Sequence, residues 1–122
     1  MRLEDIRFKA KSVIDCSWVE GDLMRIDGLC LISNSASTTE VDPSTVCQYT
    51  GEKDMNGKDI YVGDIISNLE TGSVMEIVWN DRLKRLDCKF LNGAKNGLVP
   101  LGLVVTKYKH IVVLMSKFDK EV

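Results

Sequence analysis

Val74-Met75-Glu76-Ile77-Val78-Trp79, followed after a polar break by Leu86-Asp87-Cys88-Lys89-Phe90, is the stretch that decides the fold. Apolar residues recur at every second position, the period of a strand with one face buried. Met75, Ile77 and Trp79 share a face in the first segment, and Leu86, Cys88 and Phe90 share one in the second. Trp79 is therefore expected in the core, with Asp87 and Lys89 pointing outward. The connection from Asn80 to Arg85 carries Arg82, Lys84 and Arg85, which predicts a hairpin with a basic tip.

The same period extends outward from this hairpin. Ile60 to Ser67 is rich in β-formers and is interrupted by Gly63-Asp64. Before it, Val46 to Thr50 reads as a short strand, and Gly51 to Gly57 as a loop whose tip is Asn56-Gly57, a pair that tolerates positive φ. Further upstream, Ile6, Phe8 and Ala10 alternate with Arg7, Lys9 and Lys11. Trp18 to Ile26 is a second strand with a bulge or bend at Gly21, and Leu29 to Ser33 returns after Asp27-Gly28 as its hairpin partner. Asn34 to Thr39 has no apolar anchor and reads as an exposed, mobile loop; Asp42-Pro43-Ser44 makes a turn. Downstream, Asn92-Gly93 and Asn96-Gly97 bracket a tight excursion. Leu98 to Val105 reads as a strand or a short helix, because Pro100 and Gly102 leave its period open. Ile111 to Met115 is an apolar run of the length of a buried strand. No window has the period of a long amphipathic helix.

The expected fold is mainly β, in one domain of 122 residues. Its N-terminal antiparallel β-region, approximately residues 1–50, packs on a C-terminal part, residues 60–122, with the short strands and glycine corners of a small SH3-like barrel. With 44% hydrophobic residues and two prolines, the chain has material for one core. Met1-Arg2-Leu3-Glu4-Asp5 mixes charges where a secretory signal needs a basic start and an apolar run. Leu98 to Val105, the longest uncharged and largely apolar stretch, is far short of the ~20 residues of a membrane helix. A cytoplasmic protein with no membrane partner is expected. The four cysteines, at 16, 30, 47 and 88, include no close pair, and His110 is the single histidine. They read as small buried hydrophobes rather than zinc ligands.

Charge is unevenly distributed. Residues 1–81 hold 7 Lys/Arg against 15 Asp/Glu, net −8, whereas residues 82–122 hold 9 against 3, net +6. Such asymmetry marks a basic binding face or two parts that attract each other.

The central segment also carries a resemblance. Gln48-Tyr49-Thr50-Gly51, Lys53-Asp54, Asn56-Gly57, Asp59-Ile60-Tyr61 and Gly63-Asp64-Ile65-Ile66 closely resemble the signature of the YopX family, small proteins encoded by bacteriophages and prophages. Ile6-Arg7-Phe8-Lys9, Trp18-Val19 with Gly21, and Val41-Asp42-Pro43 with Thr45-Val46 extend it upstream. The chain departs from the pattern at Glu52, where leucine is usual, and at Met115-Ser116, where Gly-Asn is common. The resemblance implies a β-rich fold and a phage or prophage origin in a bacterial host cell. It implies no activity and no site.

No residue pattern here asks for catalysis or a cofactor. Asp54-x-Asn56-Gly57-x-Asp59 with Asp64 has the oxygen ligands that hard cations favour. Its glycine, however, stands fourth rather than sixth, and Ile65 occupies the place of the twelfth-position glutamate. Turn formation by Asp54, Asp59 and Asp64 accounts for the pattern. Gly51, Gly57 and Gly63 recur every six residues, which matches neither phosphate-loop motif, and His110 has no nucleophile motif beside it. No enzyme activity, metal or cofactor is expected. Gly51, Gly57 and Gly63 are assigned to backbone geometry, and Tyr61 to packing between the two parts.

Two modes of action remain. A protein–protein or self-assembly role follows from the complementary acidic and basic parts and from exposed strand edges. The alternative is nucleic-acid binding through Arg82, Lys84, Arg85, Lys89, Lys95, Lys107 and Lys109, with Trp18, Trp79, Tyr49 and Tyr61 as a stacking platform wherever they are exposed together.

Overall fold

Two antiparallel sheets organise the computed structural model, which describes residues 5–93 and 97–119. The chain divides into two units, Met1–Gly51 and Glu52–Val122.

In the first unit, β1 (Phe8–Lys11), β2 (Trp18–Ile26), β3 (Leu29–Ser33), β4 (Thr38–Glu40) and the start of β5 (Cys47–Lys53) lie in the order β4-β3-β2-β1-β5. Asp27 and Gly28, with φ of 52° and 81°, form the β2–β3 turn, since positive φ at both positions matches the strand twist. β4 occupies part of the expected mobile loop. The polar run is ordered because the Asn34 side chain replaces the missing apolar anchor. Its Oδ1 accepts the N–H groups of Ala36 (2.9 Å) and Ser37 (3.1 Å), and its Nδ2 donates to the Glu20 carbonyl (2.7 Å).

The sheet then curls. Ser12 bridges Val41, Val13 N–H donates to the Glu40 carbonyl (3.1 Å), and Asp42 N–H donates to the Lys11 carbonyl (2.8 Å). The end of β4 is thereby brought to the end of β1. A 3₁₀ turn, Pro43–Thr45, follows, capped by the Asp42 carboxylate. The Ser44 hydroxyl and N–H hold that carboxyl below its usual range. Ala10, Cys30, Ile32 and Val41 form the buried cluster, with Phe8, Val19, Leu23 and Val46 packed against it. Ile6 precedes the first paired residue of β1 and is exposed. Cys16, in the turn before β2, is exposed too; only Cys30, Cys47 and Cys88 are buried as expected.

The second unit contains the end of β5, then β6 (Asp59–Tyr61), β7 (Asp64–Asn68), β8 (Val74–Asn80), β9 (Arg85–Phe90), β10 (Leu98–Pro100), α1 (Leu101–Lys107) and β11 (Ile111–Ser116). Pro100 ends β10 and caps α1, so the ambiguous segment is strand and helix in succession. The sheet order is β10-β9-β8-β7-β11. Ile60, Ile66, Met75, Ile77, Cys88, Leu101, Val104 and Ile111 are its buried core. No helix among the described residues is long and apolar enough to cross a membrane.

This sheet does not close into the expected barrel; β10 and β11 are its two ends. β10 has three residues, and its Pro100 lacks an N–H. The outer edge of β11 is occupied instead by the loop before β6. Met55 N–H donates to the Ile111 carbonyl (2.8 Å), and Asp54 Oδ2 accepts Val113 N–H (3.0 Å). A bulge between Val113 and Met115 leaves Leu114 and Met115 exposed, so the apolar run of β11 is buried only in part.

The deciding hairpin forms as expected, with Ile77 opposite Cys88 and Trp79 opposite Leu86. Trp79 nevertheless lies one step beyond the last fully buried pair and is 53% exposed, so its expected core placement is wrong. Asp87 departs in the other direction. It is completely buried, where Arg85 Nε and Asn80 Nδ2 each donate to it at 2.7 Å and satisfy the charge.

Candidate functional site

The residues that carry the family resemblance form a tightly bonded turn system. Gln48 is exposed, while Tyr49 and Thr50 are buried, with the Arg7 guanidinium 4.0 Å from the Tyr49 ring centroid. Asp54, also buried, turns Oδ1 to the N–H groups of Asn56 and Lys58, both at 2.9 Å. Lys53 and Asp59 form an ion pair across the same hairpin. Asp64 is fully buried and accepts Tyr61 N–H at 2.8 Å, while Gly63 donates to the Ile77 carbonyl at 2.8 Å. Ile60 and Tyr61 are buried. Asp54 and Asp64 are turn formers whose oxygens accept backbone N–H groups.

At the tip of this system Gly57 has φ of 81° and donates to the Asp54 carbonyl at 3.0 Å, with open space where a Cβ would stand. Substitution there meets only backbone strain. Gly57→Val is expected to lower stability by about 1–2 kcal/mol in urea unfolding. Stability equal to the parent's would overturn the positive-φ turn.

The basic residues come from separate elements. Arg82, Lys84 and Arg85 stand at the β8–β9 tip, but Lys84 pairs with Asp81 (3.0 Å) and Arg85 with the buried Asp87 (2.7 Å). Lys89 lies opposite Glu76 in the ladder. Lys107, the last residue of α1, and Lys109 are exposed on either side of Tyr108. Lys95 lies outside the described residues. Of the four candidate stacking aromatics, Tyr49 and Tyr61 are buried. Trp18 is half-buried, with the Lys9 and Lys11 ammonium groups 4.5 and 5.4 Å from its ring centroid. Trp79 is the exposed one.

His110 is exposed, its Nδ1 3.7 Å from Glu70 Oε2. Burial, and then the Asp87 charge, push the Cys88 thiol up to about 12, so it is not a thiolate at neutral pH.

Two features emerge that the residue patterns did not announce. The first is an apolar pair at the hairpin tip, Trp79 at 53% and Leu83 at 46% exposure. The tip is held by Asn80 Oδ1, which accepts Leu83 N–H at 3.0 Å. The second is a cleft of about 220 Å³ beside α1, to which Asn68, Thr71 and Lys107 contribute polar groups. Asn68 and Thr71, at a strand end and in the turn after it, lie far in sequence from Lys107 at the end of α1, so no motif links the three.

Residues 3–114 match the protein family described as YopX protein. No curated protein matches the chain.

Proposed function

This chain belongs to the YopX family, and from that premise we propose that it is a non-enzymatic phage or prophage accessory protein, acting in the host cytoplasm through contact with another protein or with copies of itself. The observation that carries this reading is the exposed Trp79–Leu83 pair on a hydrogen-bonded hairpin tip with Arg82 beside it. Tryptophan and arginine are the residues that most often anchor protein contacts, and a fixed tip presents them with little ordering entropy. The partnering of Lys84 and Arg85 by aspartates suits a protein surface better than a row of phosphates. The short, proline-ended β10 and the occupied outer edge of β11 favour contact through side chains over strand addition. The strand order of the second unit, with β7 pairing both β8 and the post-helical β11, supports an SH3-like sheet left open.

The test compares the parent with a Trp79→Ala/Leu83→Ser double variant by sedimentation velocity over a wide concentration range. Loss of self-association, or of a partner captured by the parent, with an unchanged circular dichroism spectrum is the expected result. Identical behaviour of the two proteins removes the tip as a contact. Nucleic-acid binding is the second reading, favoured by Arg82 and the exposed Trp79 on one hairpin. Fluorescence anisotropy with single- and double-stranded oligonucleotides separates the two. Binding that weakens steeply with salt replaces the protein-contact reading, and flat traces at low salt retain it.

A further inference from the structure

The cleft beside α1 combines apolar walls with a few polar groups. Met75 and Val104, 2% and 5% exposed, line it together with Phe90. No acidic residue among the described ones lines it, whereas Asn68, Thr71 and Lys107 do. Asn68 is the telling group, at 2% exposure. Its Oδ1 accepts Glu70 N–H at 3.0 Å, which fixes the orientation of the amide. Its Nδ2 has no hydrogen-bond partner among the described residues, yet none of their buried side-chain nitrogens or oxygens lacks one. The Nδ2 donor is therefore not sealed in, and Asn68 lines the cleft. Lys107 has no carboxylate partner among the described residues; its ammonium lies 5.4 Å from the Tyr108 ring centroid.

We propose that this cleft binds a compact apolar carboxylate, with an aromatic or branched body against Met75, Phe90 and Val104 and the carboxylate taken by Asn68 Nδ2 and Lys107. Size and charge both select this class. An apolar cavity of about 150 Å³ holds benzene, so the observed volume of about 220 Å³ admits a ring with a short acid chain. Drug-sized ligands occupy pockets of roughly 300–1,000 Å³ and are too large. An ionised acceptor meeting an amide and an ammonium makes the stronger, charge-assisted class of hydrogen bond. A neutral ligand would gain no charge-assisted bond from the lysine. The same group is presented by a free small acid and by the carboxyl-terminal residue of another protein. The site is independent of the hairpin contact proposed above.

Hydrocinnamate and its neutral amide are titrated into isotope-labelled full-length protein and followed by amide chemical shifts. Saturable shifts at Thr71, Leu103 and Tyr108 are expected with the acid, and about ten-fold weaker binding with the amide. Lys107→Gln, at an exposed position, is expected to weaken acid binding by about ten-fold with the rest of the spectrum unchanged. Asn68→Asp keeps the acceptor for Glu70 N–H and removes the donor, and should abolish binding. The Lys107 variant carries the test alone if the buried Asp disturbs folding. The proposal is overturned by any of three results: no saturable shift up to about 10 mM acid, equal affinity for acid and amide, or parental affinity in Lys107→Gln. A tripeptide ending in free phenylalanine identifies the source. Tighter binding than hydrocinnamate assigns the site to a protein terminus, and weaker binding to a free small acid.

Discussion

Gly21→Ala is expected to destabilise the first unit by about 3 kcal/mol or more. A Cβ at this position would lie 2.3 Å from the Ser33 carbonyl oxygen and 3.0 Å from its carbon. Both are backbone atoms of the neighbouring strand, so no side-chain rotation relieves the clash. The φ of 156° adds strain of its own. Relief requires β2 and β3 to part where Asp22 pairs with Ser33, next to the Asn34–Glu20 bond that orders the following turn. The buried cluster that opposes this has only four members, Ala10, Cys30, Ile32 and Val41. The small cluster cannot absorb a loss of that size. Urea unfolding followed by tryptophan emission measures it, with Gly57→Ala, in open space, as the milder control. A Gly21→Ala midpoint close to the parent's would show that β2 and β3 do not approach as described.

Asp54→Ala is the second large effect, expected at about 3 kcal/mol. One carboxylate accepts three backbone N–H groups: Asn56 and Lys58 at 2.9 Å and Val113 at 3.0 Å. The first two shape the hairpin loop, and the third fastens that loop to β11. Alanine leaves all three donors without their acceptor in a region that is only 8% exposed at Asp54. Asp54→Asn should cost less, because Oδ1 still accepts while the amide nitrogen faces the Val113 donor. Hydrogen exchange at Val113 gives the direct readout. Exchange should quicken in both variants, and unchanged protection would remove Asp54 as the fastener of β11.

The hairpin at Asp27-Gly28, the turn at Asp42-Pro43-Ser44 and the β8–β9 hairpin were legible because each depends on a few adjacent residues. The YopX signature was legible for the same reason, as a run of closely spaced turn residues. The expectation for Asn34 to Thr39 failed because a side chain from one polar residue, Asn34, bonded across to Glu20. Composition registers polarity but not such a partner. Expected barrel closure failed at the strand edges, where proline in β10 and the Asp54–Met55 loop against β11 occupy the positions that closure would use. Of the candidate basic face, the cluster at the β8–β9 tip was legible, whereas its pairing with Asp81 and Asp87 was not.

By itself the sequence determined the strands, their faces and most of the turns, since period and φ preference are properties of neighbouring residues. Tertiary structure alone decided how far the core extends along each face. Trp79 shares its face with Met75 and Ile77, yet it is exposed because the buried layer ends one register step earlier. Asp87 has an outward position in the pattern, yet it is buried because Arg85 and Asn80 fold over it. Asn68 and Lys107 are 39 residues apart and line one cleft only when β7 and α1 share one core. Burial and ligand geometry are sums over distant neighbours, which no local pattern contains.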